Sequence, residues 1–88
     1  MAAAYLIQFG REYDIGSPSQ GAKYQIEFEN MFEKTPNLQV DQAAIGNMYS
    51  IVAVYFYRKG QTSKAKSIIE KGLIYAPNNY EESHGNSM

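Results

Sequence analysis

Apolar residues crowd the stretch from Met48 to Tyr57, where only Ser50 is strongly polar. Met48, Ile51, Val52, Tyr55 and Phe56 recur at the three- and four-residue steps of one helical face. Tyr49, Ala53 and Tyr57 form a second stripe on the same helix. A helix apolar on most of its circumference is normally sandwiched between neighbours, so this one is expected inside the fold. Membrane insertion is not expected, because a span needs about 20 apolar residues and this run is half that length. Arg58 and Lys59 place positive charge where a helix C-terminus favours it, and Gly60 can take the left-handed conformation that ends the helix.

A second helix is predicted from about Thr62. Ala65, Ile68, Ile69, Gly72, Leu73 and Ala76 form its apolar face, with Lys64, Lys66, Ser67, Glu70 and Lys71 opposite. Pro77 stops it by removing a backbone donor and restricting the residue before it. Gly72 costs about 1 kcal/mol relative to alanine inside a helix, which points to close approach by another backbone. Residues 41–76 therefore read as a helical hairpin, with Asp41 capping its first helix.

The residues in front repeat this design more loosely. Ala3, Leu6, Phe9, Gly10 and Tyr13 make a helical stripe that stops at Gly16. Ser17-Pro18-Ser19-Gln20 is a helix start: Ser17 can cap, Pro18 suits the first helical position, and Gln20 can return a bond to the cap. The helix that follows carries Tyr24, Phe28, Met31 and Phe32 on one face and leaves Glu27, Glu29, Glu33 and Lys34 outside. Pro36 and Pro77 are 41 residues apart, whereas Gly10 and Ala53 are 43 apart. A longer turn around Ile15-Gly16-Ser17 would account for the difference. The expected architecture is all-α, two stacked antiparallel helix hairpins over about 2–35 and 41–76. Residues 1–79 form one helical domain, and 80–88 a polar, flexible tail.

Gly60, Ala65, Gly72 and Pro77, with Tyr49, Val52, Ala53 and Phe56 before them, resemble the signature of a tetratricopeptide repeat. Tyr49 stands where that family usually has tryptophan, Gly72 replaces the commoner alanine, and Ile69 replaces an aromatic. About 34 of the 88 residues match well. Residues 3–37 resemble a degenerate copy, in which Tyr24 and Met31 fall on the family's small positions and would splay the hairpin. The resemblance implies a right-handed superhelical stack that binds a peptide or helix on its concave face. That face would comprise Ala4, Ile7, Arg11 and Asp14, then Asn47, Ser50, Ile51, Val54, Tyr57 and Arg58. The chaperone-binding subclass grips a C-terminal carboxylate with a Lys/Asn pattern. Ile7, Arg11, Ser50 and Val54 depart from it, so a chaperone-tail receptor is not expected.

Composition narrows the function further. The 88 residues carry no cysteine, eight Lys plus Arg and nine Asp plus Glu. Disulfides and thiolate metal sites are thereby excluded. The absence of cysteine fits a reducing cytoplasm without excluding a periplasmic or extracellular location, and no secretory signal is visible. Residues 1–57 hold three basic and six acidic side chains, whereas 58–71 hold five basic and one acidic. Arg58, Lys59, Lys64, Lys66 and Lys71 lack an aromatic stacking platform, so a nucleic-acid partner is not expected. The one histidine, His84, lies in the polar tail without convergent ligands, and no phosphate loop or paired catalytic carboxylates occur. No enzyme activity, cofactor or metal is expected. Tyr49 and Tyr55 are expected in the core, while Tyr57 suits either a binding groove or packing against the preceding hairpin. The implied function is protein–protein interaction or scaffolding. The alternatives are a self-associating module, favoured by two hairpins without an evident polar cap and by the charge asymmetry, or a supporting part of a larger repeat protein.

Overall fold

The computed structural model describes residues 2–35 and 40–77. It is all-helical among them, with four helices: α1 (Ala2–Ile15), α2 (Pro18–Lys34), α3 (Gln42–Arg58) and α4 (Thr62–Tyr75). The first helix packs on α2, α3 packs on α4, and α1 packs on α3. Gly21 of α2 lies beside Tyr13 of α1, and Gly72 of α4 lies beside Tyr49 of α3, so each pair is antiparallel. Gly10 meets Met48 while Tyr13 meets Tyr55 and Phe56, so α1 and α3 run parallel.

Local chemistry accounts for most helix ends. The Asp41 carboxylate accepts from the Ala43 N–H at 3.0 Å and caps α3. Gly60 has φ +80, which lets the chain reverse between α3 and α4 without a Cβ clash. Ala76, before Pro77, closes α4 by donating its N–H to the Gly72 carbonyl. The start of α2 differs from expectation. Pro18 does open the helix, but the Ser17 side chain makes no capping bond and instead meets the Ser19 hydroxyl at 3.0 Å. The Ser17 N–H is satisfied from the other side, by the Glu12 carboxylate at 2.9 Å.

Leu6, Phe9, Phe28, Ile45, Tyr49 and Val52 form the fully buried centre. As its pattern required, α3 is packed on several sides, with Met48, Ile51 and Tyr55 half-buried around its buried stripe. Three apolar positions differ: Ala3 and Ile69 are exposed, and Ala2 is buried in place of Ala3. The link between α1 and α2 is two residues, Gly16 and Ser17, shorter than the three of Lys59–Gln61. The uneven repeat spacing therefore comes from α2, which has 17 residues against 14 in α4, and not from a longer turn.

That extra length shifts the register of the first hairpin. Gly21, not Tyr24, occupies the close-approach point: a Cβ there would sit 2.6 Å from Tyr13 Cδ2 and 3.3 Å from the Phe9 carbonyl oxygen. One helical heptad on, the buried residue is Phe28 and not Met31. Tyr24 and Met31 are half-buried at the margin, with Tyr24 stacked against Tyr5 at 6.2 Å. The expected splaying by two bulky residues at the contact is accordingly replaced by one glycine contact and one inserted phenylalanine. The tail from 80 to 88, with His84, lies outside the described residues.

Candidate functional site

The exposed side of α3 holds the strongest candidate surface. Because the helix is apolar nearly all round, burying one face against α1, α2 and α4 still leaves Val54 at 46% and Tyr57 at 67% exposure. Tyr57 thus faces solvent rather than packing against the preceding hairpin. Ser50 lies one turn before Val54 and lines three recesses flanking this strip.

Between α1 and α3 an open cleft of about 530 Å³ brings together Asp14, Ser50, Ile51, Val54, Arg58 and Lys59. Tyr13 and Tyr55 form its wall, with ring centroids 5.2 Å apart. Burial, then the neighbouring Tyr55 hydroxyl, raises the Tyr13 phenol above its ordinary value, so it stays protonated near neutrality. Lys59 Nζ lies 5.5 Å from the centre of the Tyr55 ring, which draws the ammonium toward the cleft. Among the described residues neither Arg58 nor Lys59 is ion-paired. The cleft therefore presents an apolar floor, two cations and one carboxylate.

Of the residues expected on the concave face, Asp14, Ser50, Ile51, Val54 and Arg58 converge here. Ile7, Arg11 and Asn47 are exposed on the same two helices but line none of these recesses. Tyr57 lines a second recess, between α3 and α4, with Ala53, Ala65 and Ile69.

Glu29 is the main surprise. Its spacing with Glu33 suggested a solvated face, yet its side chain is 12% exposed and accepts three bonds. Tyr49 donates its hydroxyl at 2.8 Å, Gln25 its Nε2 at 2.8 Å, and Lys71 its Nζ at 2.9 Å. Tyr75 similarly donates to Glu33 at 2.8 Å. Burial, followed by the Glu29 charge and the bond to it, pushes the Tyr49 phenol far above its usual value. Burial and the bond to Glu33 raise Tyr75 in the same direction. A sequence signal for this existed: a buried tyrosine needs a partner for its hydroxyl, so Tyr49 in the core implied an acceptor nearby. These links tie α2 to α3 and α4 and hold the two hairpins in register.

The chain matches no protein-family model, no curated protein and no solved structure. No helix among the described residues is long and apolar enough to cross a membrane.

Proposed function

We propose that this protein is a tetratricopeptide-type interaction module that binds a peptide or helix of another protein along the α1–α3 face. The single observation that supports the reading is the open cleft of about 530 Å³ with Ile51 and Val54 beside Arg58 and Lys59, neither of them ion-paired among the described residues. Apolar side chains beside cations suit a ligand that brings both apolar contacts and acidic groups. The repeat-like residues Tyr49, Val52, Ala53, Phe56, Ala65 and Gly72 favour the same class, for which a right-handed superhelical stack is the expected arrangement. On this reading the molecule performs no catalysis and needs no cofactor.

The test is selection of binding peptides from a random display library on the folded chain, repeated with Val54→Asp and Arg58→Glu. Enriched peptides should pair aromatic or aliphatic residues with Asp or Glu. Their affinity should fall roughly tenfold or more in either variant, equivalent to about 1.4 kcal/mol. Peptides that bind both variants as well as the parent would place the ligand elsewhere and overturn the assignment.

A further inference from the structure

Two recesses follow one another along the seam of α3 and α4. The one beside Gly72 and Ala76 holds about 160 Å³, and the one beside Ala53 and Tyr57 about 300 Å³. Ser50 and Ile69 line both, so the two join into a single track. Its rim is exposed and largely apolar, with Ile69 on α4 and Val54 and Tyr57 on α3. Ala76, at the head of the track, is also where α4 ends, with φ −139 and ψ 62 turning the backbone off the helix axis. From there the chain runs on as Pro77-Asn78-Asn79-Tyr80-Glu81-Glu82.

We infer that this track takes the chain's own continuation, with Tyr80 against Ile69 and the Glu81–Glu82 pair at Lys66. Distance permits it. Ile69 lies seven residues before Ala76, roughly 10 Å back along α4 at about 1.5 Å per residue. Tyr80 lies four residues beyond Ala76, and an extended chain of that length spans at most about 14 Å. The difference is slack for the reversal, which Pro77, Asn78 and Asn79 suit: proline has a fixed φ, and asparagine tolerates turn geometry. Lys66 lies ten residues before Ala76, about 15 Å back. Glu81 and Glu82 reach about 17–21 Å from Ala76, enough to meet it. Tyrosine suits such a track because it buries a large ring at the cost of few torsions and keeps its hydroxyl at the rim.

Charge and tethering select this occupant. Lys66 is one turn before Ile69, on the same face of α4. Of the other cations on that helix, Lys71 is bonded to Glu29, and Lys64 stands 5.1 Å from the centre of the Phe56 ring. Lys66 is exposed and has no ion pair among the described residues. Glu70 stands nearer Ala76, so both carboxylates pass beyond it before they meet Lys66. The three residues between Ala76 and Tyr80 hold the tyrosine near the track at an effective concentration of about a millimolar. A contact too weak to retain a separate peptide is then enough to fill the track. The track and the α1–α3 cleft lie on either side of Val54, so occupancy of the one does not depend on what the other binds.

A spin label tests this. The chain has no cysteine, so Ser83→Cys provides a single attachment point for a nitroxide beside Glu82. Amide NMR signals of the labelled chain should broaden around Lys66 and Ile69 on α4 and around Val54 and Tyr57 on α3, and stay unchanged around Ile26 on α2. Tyr80→Ala should abolish this pattern, and so should Ile69→Asp, which forces a carboxylate into apolar contact. Circular dichroism checks that each remains helical; should Ile69→Asp lose helix, Tyr80→Ala still carries the test. Lys66→Glu should weaken the broadening, and Glu81→Lys with Glu82→Lys should restore it in that background. Mixing labelled chains with unlabelled, isotope-enriched ones separates self from neighbour. Broadening in the enriched chains means that the segment of a second copy fills the track, and it overturns the inference. No broadening, broadening that survives Tyr80→Ala, or broadening centred on Asp14 of α1 overturns it equally.

Discussion

The two hairpins place their bulk in opposite helices. In the second, the large residue is Tyr49 on α3, and Gly72 on α4 makes room for it: a Cβ on Gly72 would stand 3.0 Å from Tyr49 Cβ. In the first, the corresponding residues are Leu6 on α1 and Phe28 on α2, both fully buried. Phe28 is large because it serves the other hairpin as well as its own. Its ring lies 6.4 Å from that of Tyr49 and 6.3 Å from that of Tyr75, so it fills the space between hairpins. Gly72, in the corresponding place, has no described helix beyond it. The difference teaches that a repeat position takes its size from the neighbour it faces, and the first hairpin looks degenerate in sequence because it already has its neighbour.

Removing the residue that joins the hairpins should do the most damage. Phe28→Ala empties a fully buried site and should cost about 3–5 kcal/mol, read from the denaturant midpoint at constant m value. If the loss is under about 1 kcal/mol, the hairpins do not depend on each other through this ring.

Tyr49→Phe keeps the ring and removes only the hydroxyl bonded to Glu29, a charged acceptor. A loss of about 2 kcal/mol is expected. The same pair sets a pH dependence. Tyr49 and Tyr75 hold their protons above the ordinary value in the folded state, so the stability linked to them is complete below about pH 10 and is lost as pH rises beyond it. The denaturant midpoint should fall on the alkaline side, and less steeply in Tyr49→Phe. An unchanged slope would show that the Tyr49 hydroxyl is not coupled to folding.

Gly21→Ala tests the shifted register. Alanine gains about 1 kcal/mol of helix propensity, but its Cβ would stand 2.6 Å from the Tyr13 ring, which must move. A net loss of about 1–2 kcal/mol is expected, seen as a lower thermal midpoint. Stabilisation would mean that α1 and α2 are not in close approach at this residue.

The smallest effect belongs to Lys71→Met. The ion pair with Glu29 spans α4 and α2 at 2.9 Å, but the lysine is 47% exposed and well screened. Its loss should cost under about 1 kcal/mol, and added salt should narrow the gap between parent and variant.

Much of the second hairpin could be read directly. Asp41, Gly60 and Pro77 mark helix ends because each acts within a few residues of its own backbone. The buried set Tyr49, Val52, Ala53, Phe56, Ala65, Ile68 and Gly72 follows from helical spacing and is buried as expected. The first hairpin was legible only as two helices. Aligning its stops at Pro36 and Pro77 put Tyr24 and Met31 where Gly21 and Phe28 in fact lie, because α2 is three residues longer than α4. Within the candidate surface, Ser50, Ile51, Val54 and Arg58 were legible as one face of one helix. Asp14 was expected beside them on the concave face and does join them, whereas the part of Tyr13 in the cleft wall was not legible, since it depends on how α1 lies against α3.

Sequence by itself determined the four helices and the reversal at Gly60, because these rest on periodicity and on backbone chemistry local to the chain. Only the tertiary structure decided the fate of Glu29, which a helical wheel leaves in solvent and three donors from Gln25, Tyr49 and Lys71 draw inward. Tertiary structure also decided which side of an almost wholly apolar α3 stays open. A helix with no polar face has no preferred outside of its own, so the choice falls to its neighbours: α1, α2 and α4 cover what they can reach, and Ser50, Val54 and Tyr57 are among the residues left exposed.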